Sequence, residues 1–137
     1  MKGVLFLCVA NSARSQMAEG LARAVAPAGV AVMSAGSLPQ MVHPMAVKVL
    51  AEVGLDISTN VSKSVDSVDL ESVDTVVTLC ADEVCPFLPG KVRRLHWPLP
   101  DPAGRAGDDD AKLNKFREVR DEIKMRLEQL FSEEGAI

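Results

Sequence analysis

Positive charge is not in excess in this chain: 15 Lys and Arg stand against 19 Asp and Glu, a formal net charge of −4. That removes the basic footprint by which proteins hold nucleic acid or an anionic membrane surface. Long apolar runs are missing too, and no stretch approaches the roughly 20 residues of a membrane-spanning helix. Val4 to Ala10 follows Lys2 and briefly resembles a secretory leader, but it is at the short limit for one, and cleavage nearby would remove a strand. A soluble, cytoplasmic protein is expected. Cysteine is scarce and odd in number, three in all. Without an export signal, that count argues against a disulfide framework and makes catalytic or redox thiols the leading explanation. Repeats, linkers and low-complexity tracts are absent. The 137 residues, 47% of them apolar, therefore read as one domain, 1–137, with its own core.

What is present alternates between strand and helix. Residues 3–8 are an apolar strand, and 15–26 an Ala-rich helix with Met17, Leu21 and Val25 on one face, closed by Pro27 to Gly29. Val30 to Ala35 is a second apolar run. Pro44 opens a helix in its tolerated first turn and Gly54 ends it. The polar stretch from Asp56 to Ser72 reads as loop and a short helix. Asp74 to Leu79 is a third strand, and Lys91 to Leu95 a fourth, after the Pro89-Gly90 turn. Residues 98–110 form a surface loop. Leu113, Phe116, Val119, Ile123, Leu127 and Leu130 then recur at helical spacing over 111–131. The pattern predicts an α/β domain: a four-stranded parallel sheet, helices on both faces, and ligands at the carboxyl ends of the strands.

One junction carries chemistry. The first strand ends at Cys8, and Val9, Ala10, Asn11, Ser12 and Ala13 lead to Arg14 and Ser15, where a helix begins. A helix N-terminus presents unpaired N–H groups and partial positive charge, which suit an oxyanion. The same field favours the thiolate form of a nearby cysteine. Arg14 adds a planar fork able to grip a tetrahedral oxyanion at two points. Asn11 suits a left-handed kink that turns successive N–H groups inward. Ser15 can donate its hydroxyl to the sulfur. The competing reading is a small buried hydrophobe at a strand end, because C-x5-R also arises by chance.

Cys80 and Cys85 are not needed for a phosphatase-type reaction, which uses one thiolate and a proton donor. Two-electron reduction of a bound oxyanion needs a second thiol, and a third can move the resulting disulfide away. In a helix, five residues advance about 7.5 Å, beyond the roughly 4.4–6.8 Å between Cα atoms that a disulfide tolerates. A Cys80–Cys85 bond therefore requires non-helical or unwinding backbone over 80–90. Cys80 also reads as a core residue, Cys85 as incidental, and the two with His96 as an incomplete zinc set. Asp101, between Pro100 and Pro102, lies at the same end of the sheet, where it suits either a general acid or a turn. Asp108 to Asp110 read as helix-capping charge. His43, His96 and Trp97 read as structural.

The segments CVANSARSQMAEG (8–20), MSAG (33–36), HPMAVKVLAEVGLDIS (43–58), VVTLC (76–80), CPFLP (85–89), HWPLPDPAG (96–104) and FREVRDEI (116–123) resemble the thioredoxin-coupled arsenate reductases, over nearly the whole chain. These share the low-molecular-weight protein tyrosine phosphatase fold, also called phosphotyrosine protein phosphatase I-like. The resemblance implies that Cys8 attacks arsenate held by the 9–14 backbone and Arg14, with phosphate and sulfate competing, while Ser15 stabilises the thiolate and Asp101 protonates the leaving oxygen. Cys80 would then displace arsenite by forming a Cys8–Cys80 disulfide, Cys85 would take it over as Cys80–Cys85, and thioredoxin would reduce it. In some members Asn11, Glu19 and Ser34 would match ligands of a potassium ion; a further aspartate ligand is replaced near Ser64. No other metal or cofactor is expected. The Cys80 to Cys85 spacing is short for this group, and Ala13 stands where several relatives have another cysteine. The alternatives are a tyrosine phosphatase, disfavoured because no aromatic follows Asp101-Pro102 and the chain has no Tyr, and a zinc or redox-sensing binding module.

Overall fold

Gly-Val-Leu-Phe-Leu-Cys has no polar side chain along its length, as a strand covered on both faces requires. In the computed structural model it is β1 (Gly3–Cys8), buried at every residue. The structure describes residues 1–81, 90–104 and 107–135, with side chains through Ser132. Around β1 stand β2 (Ala31–Gly36), β3 (Thr75–Thr78) and β4 (Arg93–His96), in the order β2-β1-β3-β4. All three pairings are parallel. Register follows from burial: alternate residues of β1 serve two separate clusters. Val4 and Phe6 join the main core with Met17, Leu50, Phe116 and Ile123, whereas Leu5 and Leu7 pack with Ala35, Val73 and Val76 on the other face.

The main core is closed by α1 (Arg14–Val25), α2 (Pro44–Ala51) and α3 (Asp109–Gly135). On the opposite face the helical cover, among the described residues, is two single 3-10 turns, Val65–Ser67 and Leu70–Ser72. Their first N–H groups are met by side chains, Ser64 for Asp66 and Asp69 for Glu71. The polar stretch read as loop and short helix is thus these capped turns. Helix α3 starts two residues before the expected Ala111, because Asp108 caps it: its Oδ1 accepts the Ala111 N–H at 2.8 Å. Asp109 and Asp110 sit in the first turn, where carboxylates complement the dipole. Trp97 packs against the core, its ring 6.5 Å from that of Phe6.

Helices α2 and α3 are also stapled at the surface. Glu52 accepts Arg117 Nη2 at 2.6 Å and Arg120 Nη1 at 2.9 Å. Hydrogen bonding from Arg117 brings the Glu52 carboxyl down to about 2; burial opposes it, and the Arg120 hydrogen bond and the charges of both arginines outweigh that opposition. A carboxylate depressed on folding adds stability above its unfolded pKa, and that stability is lost as pH falls toward the folded value. Glu52→Gln should therefore lower the melting temperature at neutral pH and flatten the decline between about pH 4.5 and 2. Thermal melts across that range test it; curves of unchanged slope would remove the staple from the acid limb.

Candidate active site: an oxyanion cradle at the end of the first strand

Residues 9–13 leave β1 and double back into α1, and the carbonyls of residues 9–12 are all spoken for on the outer side. Leu38 N–H donates to Val9 O (2.9 Å), Gln40 N–H to Ala10 O (2.9 Å), Ser62 Oγ to Asn11 O (2.6 Å) and His43 N–H to Ser12 O (3.0 Å). In a planar trans peptide the C=O and the next N–H point in opposite directions. Four carbonyls turned outward therefore turn the N–H groups of residues 10–13 inward, which is an anion nest. Asn11 makes this possible with φ of 49°, the only non-glycine residue at positive φ among those described. No side chain caps α1 at Ala13, and its first turn contains no acid. Its N-terminal field therefore acts on the cradle.

Buried polar groups fix the proton directions. The Asn11 side chain meets four partners: Oδ1 accepts from Lys63 N–H (2.8 Å) and Gln16 Nε2 (3.0 Å), and Nδ2 donates to Ser15 Oγ (2.8 Å) and Ser34 Oγ (2.9 Å). A backbone N–H can only donate, so Lys63 decides which end of the amide is oxygen. Each serine then receives a hydrogen bond from Asn11, and Ser34 sends its own proton onward. Ser15 Oγ lies 2.8 Å from Cys8 Sγ, and Ser34 Oγ donates to Glu19 Oε1 at 3.0 Å. Between Ser15 and Cys8 either atom can donate, and a Cys8 thiolate would take the proton of the Ser15 hydroxyl. Cys8 is buried and a free thiol.

Arg14, buried at the first position of α1, donates from Nη1 to Leu99 O (2.8 Å) and Leu79 O (3.3 Å). It thereby ties the cradle to the residue before Cys80 and to the segment leading to Asp101. Cys80 is buried just beyond β3; the register pairing Leu7 with Thr78 brings it to the neighbouring strand end, one residue past the level of Cys8. Cys80 is disulfide-bonded. Cys85 lies outside the described residues, as does the expected unwinding of its segment. Asp101 is exposed, and its Oδ1 accepts the Ala103 N–H at 3.0 Å, a turn geometry that leaves its second oxygen out of that bond. His43 caps α2, its Nδ1 accepting the Met45 N–H at 3.1 Å, with its ring 4.9 Å from Phe116. Burial holds the imidazole below its usual range; the charge of Asp101 opposes this and that of Lys112 assists it. His96 sits with Nδ1 2.6 Å from Thr78 Oγ1. Among the described residues, no three His, Cys, Asp or Glu side chains are grouped to hold a metal, and no helix is long and apolar enough to cross a membrane.

Asn11, Glu19 and Ser34 do converge, all buried. Yet the Lys63 ammonium already lies 3.4 Å from Glu19 Oε1, so these residues do not fit a potassium ion. The sequence reading missed a whole wall of the site: Gln16, Asn60, Ser62 and Lys63 hold Asn11 and Glu19, and Gly36 packs on the cradle backbone. A run of Asn, Ser and Lys without apolar periodicity, in the loop between α2 and the first 3-10 turn, was the available signal.

A parallel sheet with a thiol at one strand end, beneath inward amides and an arginine, defines a thiol-based oxyanion enzyme of the α/β class. Residues 3–135 match the family described as low molecular weight phosphotyrosine protein phosphatase, and the chain belongs to it. Among its relatives is an arsenate reductase of Bacillus subtilis (strain 168), 46% identical over 98% of this chain and 97% of that one. The solved structure of an arsenate reductase in the phosphate binding state superposes with a TM-score of 0.82 at 37% identity, covering 97% of this chain and 98% of that one. The thioredoxin-dependent arsenate reductase of Corynebacterium glutamicum gives 0.73 at 34% identity, over 97% of this chain and 61% of that one.

Proposed function

We propose that this protein reduces arsenate to arsenite through a relay of three cysteines, with thioredoxin as the electron donor. The Cys8 thiolate attacks arsenic in an arsenate held by the 10–13 amides and Arg14. An As–O bond breaks, and Asp101 protonates the departing oxygen, which leaves as water. Cys80 then attacks Cys8 Sγ; the S–As bond breaks, its electron pair stays on arsenic, and arsenite departs. Cys85 attacks Cys80, releasing Cys8 as thiolate and storing the oxidation as a Cys80–Cys85 disulfide for a dithiol to reduce. The observation that carries this reading is one free thiol at the floor of the cradle, hydrogen-bonded by Ser15, beside a disulfide-bonded Cys80. The relatives named as arsenate reductases, one of them thioredoxin-dependent, support it. The test is arsenate-dependent NADPH consumption with thioredoxin and its reductase. Consumption that tracks arsenate is expected; none, with all thiols reduced beforehand, would refute the reading.

Arg14→Lys should raise the KM for arsenate about tenfold, the loss of roughly 1.4 kcal/mol when a point charge replaces a two-pronged contact. Phosphate, as competitor, should weaken in parallel. Steady-state kinetics with both anions would show it, and an unchanged KM would take Arg14 out of anion binding.

A further inference from the structure

Glu19 is a carboxylate at 1% exposure, and the structure supplies it with a cation from the chain itself. Lys63 Nζ stands 3.4 Å from Oε1 and is braced on Val61 O at 3.0 Å. Oε1 also accepts Ser34 Oγ, while Oε2 accepts Asn60 Nδ2 at 3.0 Å. Arg23 lies 3.7 Å from Oε2 but is 56% exposed, so solvent screens it more. Lys63 touches the network at both ends, because its backbone N–H also fixes the Asn11 amide. From Glu19 the bonds run through Ser34, Asn11 and Ser15 to Cys8 Sγ.

We infer that Lys63 is a tethered counter-ion: its ammonium does from within the chain what a potassium ion would do at Glu19, and it keeps the Ser34–Asn11–Ser15 network set for the Cys8 thiolate without a dissolved cation. The inference rests on the reading of Cys8 as nucleophile and makes Lys63 a positioning residue. Without the ammonium, the buried charge of Glu19 is poorly balanced and opposes a second negative charge at Cys8. Among the described residues, the other charged groups near the cradle include Arg14 and Arg23 of α1, with Asp101 and the titratable His43 at its mouth. Of these, Arg23 lies nearer the other carboxylate oxygen, Oε2.

In a protein carrying Cys80→Ser and Cys85→Ser, Cys8 is the sole thiol, and the pH dependence of its alkylation reports the thiolate fraction. With Lys63 present, the midpoint should be the same in potassium chloride and in tetramethylammonium chloride of equal ionic strength. Adding Lys63→Met should raise the midpoint by about one unit in the tetramethylammonium salt, a roughly tenfold slower alkylation below it. Potassium chloride should bring it back, and Lys63→Arg should behave as the parent. A potassium-dependent midpoint in the parent, a Lys63→Met midpoint that stays put, or a shift that potassium fails to reverse would each overturn the inference. Should Lys63→Met not fold, the melting temperature of the parent in the two salts decides: equal values support the tether, and a rise in potassium alone defeats it. Arsenate enters neither measurement, so a negative result here leaves the reductase reading standing.

Discussion

Cys80→Ser is expected to abolish arsenate turnover with thioredoxin while leaving slow hydrolysis of a small aryl phosphate within a few-fold of the parent. The two reactions share the first step: a thiolate attacks a tetrahedral centre and an oxygen departs. They diverge at the second. Hydrolysis needs only water at the adduct, whereas reduction needs a sulfur to attack Cys8 and leave two electrons on arsenic. Cys8→Ser should remove both activities, since a serine hydroxyl stays protonated where a thiolate forms. Cys85→Ser should permit about one arsenite per enzyme and halt at a Cys8–Cys80 disulfide, visible by mass spectrometry after quenching and alkylation. Because Cys80 is buried, Cys80→Ala serves beside the serine variant to separate lost chemistry from a polar group forced into the core. Sustained turnover by either Cys80 variant would end the relay, as would a Cys85→Ser enzyme that cycled normally with thioredoxin alone.

The sheet and the loop were legible in the sequence because they rest on local signals. An all-apolar six-residue strand, a helix rich in Ala, and a Cys, an Asn and an Arg at fixed spacing between them determine the junction almost unaided. Burial in the long helix followed from spacing as well, since Phe116, Ile123 and Leu127 fall on one face. What holds the cradle was not legible. Ser62 and Lys63 reach Asn11 from 51 and 52 residues away, and polar side chains with no periodicity do not announce their partners. The carry-over of a potassium site shows the same limit. Asn11, Glu19 and Ser34 are where the resemblance put them, but whether a carboxylate keeps room for an ion depends on a lysine arriving from another segment. Residue identity places ligands; only packing shows what already sits against them.

Gly36→Ala is expected to cost roughly two orders of magnitude in kcat/KM, although no substrate atom needs to touch it. Gly36 ends β2 beside Cys8, and its N–H is held by Lys63 O at 2.9 Å. A Cβ built there would stand 2.3 Å from Val9 O and 2.9 Å from both Cys8 O and Asn11 N. All three are backbone atoms of the cradle, so no side chain can swing aside, and the loop itself has to move. Overpacking of this kind costs about 1–3 kcal/mol in stability. The larger effect falls on chemistry, because displacing aligned groups by about 1 Å can cost 10²-fold in rate. Gly29→Ala is the control. Gly29 sits at φ of 88° with nothing within 4 Å of its Cβ position, so alanine there strains the backbone by roughly 1–2 kcal/mol and leaves the cradle alone. Comparable melting temperatures with activity lost only in Gly36→Ala would place the effect in the cradle. Equal kcat/KM in the two variants would show that the amide nest tolerates displacement, and that Arg14 and Ser15 orient the oxyanion without it.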